Sequence, residues 1–210
     1  MGGLELIGGA ALGGLAGWQA DRLSCRLCGT RPSRITQLAA AASGAAAWGY
    51  AAVHWPSPDR YAWMAWLWAL GVLADVDLRE RWLPDAVTMP LAASGLLYRA
   101  ATGEAARSAY GLLAGGVLFG VIALGGWCIW RREALGGGDV KLAAALGAWQ
   151  LWPEALWGWA AGCVIGGLYG TVVMLWRLHH GRWRWGAVEV PFGPFLIAGA
   201  VALAAWGPPR

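Results

Sequence analysis

"SAYGLLAGGVLFGVIALGGWCIW" (residues 108–130) runs for 23 residues without an Asp, Glu, Lys or Arg. A helix of that length extends about 34 Å at 1.5 Å per residue, enough to cross a hydrocarbon layer of about 30 Å. The stretch therefore predicts a transmembrane helix. Residues 35–58, 155–176 and 190–209 are uncharged runs of the same kind. Four shorter or interrupted apolar segments, 6–20, 61–74, 87–101 and 142–152, alternate with them. The expectation is an all-α, polytopic integral membrane protein of about eight transmembrane helices, forming a single domain over residues 1–210.

Composition agrees. Hydrophobic residues make up 58% of the chain and charged residues only 13%, against about 25% charged in soluble domains. The 17 tryptophans and 33 glycines point the same way, because both residue types are favoured in membrane proteins. Residues 1–20 lack a basic leading segment, so the first apolar run is read as a retained helix and not a cleaved signal. Trp55, Trp130, Trp152 and Trp176 fall near segment ends, where indole rings favour the interface.

The charges then orient the chain. Alternate connections carry Arg22, Arg26, Arg31 and Arg34; Arg79 and Arg81; Arg131, Arg132 and Lys141; and Arg177, Arg182 and Arg184. The opposite side carries only Arg60, Arg99, Arg107 and Arg210. Basic residues concentrate on cytoplasmic loops, so the first set is expected in the cytoplasm and both termini across the membrane from it.

Two acidic clusters share that cytoplasmic side. "LADVDLRERWLPDAVTMP" (73–90) holds Asp75, Asp77 and Asp85, and "ALGGGDVKLAAAL" (134–146) holds Asp139 and Lys141. Helix from Asp139 to Trp152 covers about 20 Å, well short of the hydrocarbon thickness. Its start is expected to be recessed, with the glycines permitting close backbone approach. Two carboxylates in one desolvated cavity resist double ionisation, so one keeps a proton and a general acid–base pair results. The helix dipole favours the ionised form at a helix start, which makes Asp139 the expected anion.

At these residues the chain resembles the prepilin leader peptidases, the bacterial branch of the GxGD intramembrane aspartyl proteases. "GGGDVKL" (136–142) is similar to the family's G-x-G-D-x-K-L signature, with Gly136, Gly138 and Lys141 around Asp139. "VDLRERWLPDAVTMP" (76–90) resembles its first-aspartate motif. There Asp77 stands seven residues before Pro84 and Asp85, a spacing that Asp75 does not meet. "VPFGPFLIAGA" (190–200) resembles the C-terminal signature, and "GGLAGWQADRL" (13–23) a degraded first span.

The resemblance implies a bilayer-embedded aspartic endopeptidase of the bacterial inner membrane. It would use Asp77 and Asp139, without a cofactor, to cut the basic leader from type IV prepilins or type II secretion pseudopilins. Its termini would be periplasmic and its active site would face the cytoplasm. The partners implied are the pilin substrate and the lipid bilayer, with no nucleic acid. Asp75, Asp85, Glu80 and Glu133 are candidate contacts for the basic leader. Lys141 either balances the charge of the pair or anchors the helix start at the interface.

Many family members carry a cytoplasmic insertion after the first span, with two C-x-x-C pairs, associated with N-methylation of the product. Here residues 19–35 form a short cytoplasmic loop holding one pair, Cys25 and Cys28. One pair supplies two ligands where a structural zinc takes four. No metal centre is expected, and methyl transfer is not. Competing readings are a non-catalytic pilin-binding assembly factor on the same scaffold and a small transporter with proton-carrying acids. The transporter reading leaves "PFGPF" and the Pro-Asp spacing unexplained.

Overall fold

A computed structural model describes residues 2–55, 59–131, 135–180 and 191–206. Among them are eight helices, one for each expected segment: α1 (Gly2–Leu27), α2 (Arg34–His54), α3 (Asp59–Glu80), α4 (Asp85–Ala101), α5 (Ala105–Trp130), α6 (Gly137–Gln150), α7 (Ala155–His179) and α8 (Gly193–Trp206). No strand occurs among the described residues. Stretches in α5 (Ala105–Ile129) and α7 (Ala155–His179) are each long and apolar enough to cross a membrane alone, while α8 is apolar but shorter.

Several helices outrun the apolar segments that announce them, because charged residues at their ends stay helical. α1 continues through Asp21 and Arg22 to Leu27, and α2 starts at Arg34. The connection between them is therefore Cys28–Ser33, shorter than 19–35. Ser33 caps α2, accepting a bond from Thr36 N at 3.1 Å, while Thr36 Oγ1 accepts one from Ser33 N at 3.3 Å. α3 likewise runs past Ala74 to Glu80, which carries Asp75 and Asp77 onto a helix.

α6 is the central post of the molecule. Every residue from Leu142 to Gln150 except Ala144 is classed as buried, the mark of a helix covered all round. Its shortness is thus explained by enclosure among α4, α5, α7 and α8. Gly111 and Gly147 let α5 and α6 touch backbone to backbone: a Cβ on either would fall onto the other's carbonyl oxygen. Small residues at a crossing permit this approach in lipid.

Tryptophans depart from the interfacial expectation. Trp55, Trp63, Trp66, Trp149 and Trp159 are all buried. Trp63 packs against Trp55, Trp66 and Trp149 with ring centroids 5.5, 5.1 and 5.5 Å apart. Trp55 ends α2 but turns inward, because this aromatic cluster offers more contact than the interface does. Trp152 and Trp176 remain partly exposed at helix ends as expected. Arg99, near the end of the expected segment 87–101, is buried on α4, where Nε donates to Trp149 O at 2.9 Å.

Candidate active site

Three helix ends converge at one side of α6. Asp77 lies one turn before the end of α3 and is only 5% exposed. The helix then stops at Arg81, whose backbone is left-handed (φ 56°) and whose N–H donates to Asp77 O at 2.9 Å. Trp82, Leu83 and Pro84 turn the chain, and Pro84 caps α4 in extended conformation (φ −69°). Proline suits a helix entrance, because no intrahelical partner awaits an N–H there. This tight reversal brings Asp77 and Asp85 to the same mouth.

From the other side come Gly136, Gly137 and Gly138, leading into Asp139 in the first turn of α6. Asp139 N donates to Gly136 O at 3.0 Å, closing that turn. A Cβ on Gly138 would stand 3.1 Å from Leu83 Cβ, so glycine there lets the α3–α4 reversal press against α6. The third end is the start of α8, where Gly193 N donates to Asp77 Oδ2 at 3.1 Å.

The end of α3 and the starts of α4 and α6 frame a cavity of about 420 Å³ whose walls include Asp77, Asp139, Arg81, Asp85, Lys141 and Gly138. Asp77 and Asp139, 62 residues apart in sequence, thus face one space. Lys141 Nζ bonds both carboxylate oxygens of Asp85 at 2.8 Å. Neither sequence expectation for Lys141 included this partner; it straps the entrance of α4 to α6 beside the cavity.

Both aspartates lie beyond the apolar stretches 61–74 and 142–152. Burial pushes both carboxyls above the usual carboxylate range. Asp139 is raised to about 7, by burial first and then by the charge of Asp77, against a lowering bond at Gly136. The Gly193 N–H works against the rise of Asp77. Asp139 thus holds a proton more readily than an ordinary carboxyl, although the helix dipole favours its ionised form. The dipole contributes about 1 kcal/mol at a helix start, less than one pKa unit, and burial beside a like charge outweighs it. An acid and a base across a small cavity can activate a water and polarise a carbonyl.

The remaining candidates divide. Pro84, Gly136 and Gly138 are structural parts of the site. Asp75 faces away from it: Arg79 Nε donates to Asp75 Oδ1 at 2.9 Å, and Arg79 NH2 to Asp21 Oδ1 at 2.6 Å, tying α3 to α1. Glu80 is exposed at the end of α3, and Glu133 lies outside the described residues. Among the described residues no three His, Cys, Asp or Glu side chains gather to hold a metal. Cys25 is buried, and the Cys28 thiol is pushed up by burial and by the Glu80 carboxylate, which disfavours the thiolate a metal needs. His180 bonds Trp176 O through Nδ1 at 2.8 Å. Sequence reasoning missed the Gly193 amide, because a backbone donor leaves no residue-type signal.

The model of the type IV leader peptidase family matches residues 64–171, a span that includes both aspartates and their motifs. The chain belongs to the type IV leader peptidase family. It is 36% identical over 199 residues to the prepilin leader peptidase/N-methyltransferase of Burkholderia pseudomallei strain 1026b, covering 90% of this chain and 60% of that protein. The Stutzerimonas stutzeri protein of the same name is 31% identical over 208 residues, covering 92% and 66%. The Escherichia coli strain K12 protein is 33% identical over 132 residues, covering 61% and 56%. The chain thus spans about 60% of the length of the first of these relatives. No solved structure matches it.

Proposed function

We propose that this chain is a membrane-embedded aspartic endopeptidase that removes the basic leader from type IV prepilins or type II secretion pseudopilins. The observation that carries the reading is the meeting of Asp77 and Asp139, from two separate motifs, in one cavity. The Asp77 carboxylate takes a proton from water as its oxygen attacks the scissile carbonyl carbon. Asp139 gives its proton to the carbonyl oxygen, and a neutral gem-diol forms. Asp77 then passes its proton to the amide nitrogen while Asp139 recovers one from the diol. The C–N bond breaks, leaving a carboxylic acid, an amine and the pair in its starting state. No cofactor takes part.

All eight helices cross the inner membrane in this reading, with the arginine-rich connections and the cavity at the cytoplasmic face and both termini in the periplasm. The charge asymmetry of the connections supports that orientation. Asp85 is exposed at the mouth and offers negative charge to a basic leader, and Glu80 is exposed at the end of α3. Methyl transfer, part of the relatives' names, is not proposed here: the α1–α2 connection is Cys28–Ser33, too short for an inserted domain.

Co-expression with a candidate prepilin tests this reading. Leader removal, seen as a gel shift, is expected with the native chain and not with Asp77→Asn or Asp139→Asn, while Asp75→Asn retains most of it. Processing at native rate by either of the first two variants would leave only a binding role. Mass spectrometry of the mature pilin tests the second point: an N-methylated terminus made by this chain alone would contradict it.

A further inference from the structure

"VPFGPFLIAGA" (190–200) contains no titratable side chain, so the acid–base chemistry assigns it no part. Yet its glycine touches one of the two acids. Gly193 opens α8, and its N–H donates to Asp77 Oδ2 at 3.1 Å. The first N–H groups of a helix lack intrahelical partners and stand at its positive end. Asp77 is 5% exposed, so this donor replaces water that the carboxylate has lost. Two of the cations nearby are already engaged. Lys141 is bound by both oxygens of Asp85. Arg79, on another face of α3, is held by Asp75 and Asp21. Arg81 shares the cavity wall, and Asp139 across it is a like charge when ionised.

The fit is also close. A Cβ on Gly193 would lie 2.8 Å from Asp77 Oδ2 and 3.2 Å from its Cγ. A side chain there would make the Asp77 carboxylate shift from its place against the amide. We infer that Gly193 is a positioning residue of the acid–base pair: its N–H, presented by the first turn of α8, holds Asp77 as the carboxylate and leaves the shared proton to Asp139. Its catalytic meaning rests on the peptidase reading, but its effect on Asp77 does not.

The test therefore titrates Asp77 directly. In an Asp139→Asn background, infrared difference spectra against Asp77→Asn/Asp139→Asn isolate the Asp77 carboxyl band. Adding Gly193→Ala is expected to move its midpoint up by about one pH unit, from loss of one hydrogen bond to a charged group. An unmoved midpoint, with helical circular dichroism intact, overturns the inference. A second measurement leaves Gly193 native and so does not depend on that variant folding. With 15N-glycine labelling in the Asp139→Asn protein, the Gly193 amide proton is expected to move downfield as Asp77 ionises; an amide indifferent to pH overturns the inference. If the titration behaves as expected and the native chain cleaves no prepilin, the peptidase reading fails and the positioning role stands.

Discussion

Burial and the charge of Asp77 raise Asp139 to about 7, and this has two measurable consequences. The first is a pH profile. In the proposed mechanism catalysis needs Asp77 charged and Asp139 protonated, so kcat/KM should rise as Asp77 ionises and fall as pH passes about 7, where Asp139 loses its proton. A profile still rising through pH 8 would contradict the assignment. The second concerns stability. A carboxyl whose folded pKa is raised binds its proton more tightly folded than unfolded, so its ionisation costs stability as pH climbs from the unfolded value towards 7. Asn cannot ionise. The melting temperature of Asp139→Asn, relative to the native chain, should therefore increase between pH 5 and pH 8. Lys141 and Asp85 are partly exposed, so their pair contributes under about 1 kcal/mol. Lys141→Met should slow processing less than about tenfold, and a double-mutant cycle with Asp85→Asn should show coupling. The two acids were legible in the sequence as charges beside apolar runs. That burial raises both carboxyls was not, because burial is set by chain segments far away in sequence.

Helix α6 shows what enclosure does to an element. Its 14 residues span about 21 Å, and the sequence signalled only that it is short. Counting uncharged residues located all eight helices, since charge avoidance is a local property. It clipped their ends, since a helix continues through charges that find partners, as Arg79 does with Asp75 and Asp21. It also sent Trp55 to the interface, since partners in a core are not visible from one segment. The α5–α6 crossing gives a contrast within one helix. Gly147→Ala would drive a methyl group into the Gly111 carbonyl, and Gly137→Ala meets nothing within 4 Å. The first should cost about 1–3 kcal/mol of stability as overpacking, and the second should not lower it by more than about 1 kcal/mol. Thermal melts of the purified variants would check both.

At the scale of the molecule, the charge asymmetry assigns faces. In the proposed orientation Glu80, at the end of α3, lies in the cytoplasm, and Thr102, just after α4, in the periplasm. In a cysteine-free background, Thr102→Cys should react with an impermeant maleimide in intact cells, and Glu80→Cys only after permeabilisation. The inverse pattern would turn the topology over. The central claim is that Asp77 and Asp139 act as one proteolytic pair. Its most direct test is single-turnover cleavage of a prepilin by the purified chain in lipid nanodiscs, comparing native protein with Asp77→Asn and Asp139→Asn. The account expects the native chain to release the leader and each variant to lose at least about 100-fold in rate, the scale of a lost general acid or base. Cleavage by a correctly folded variant at the native rate would contradict it.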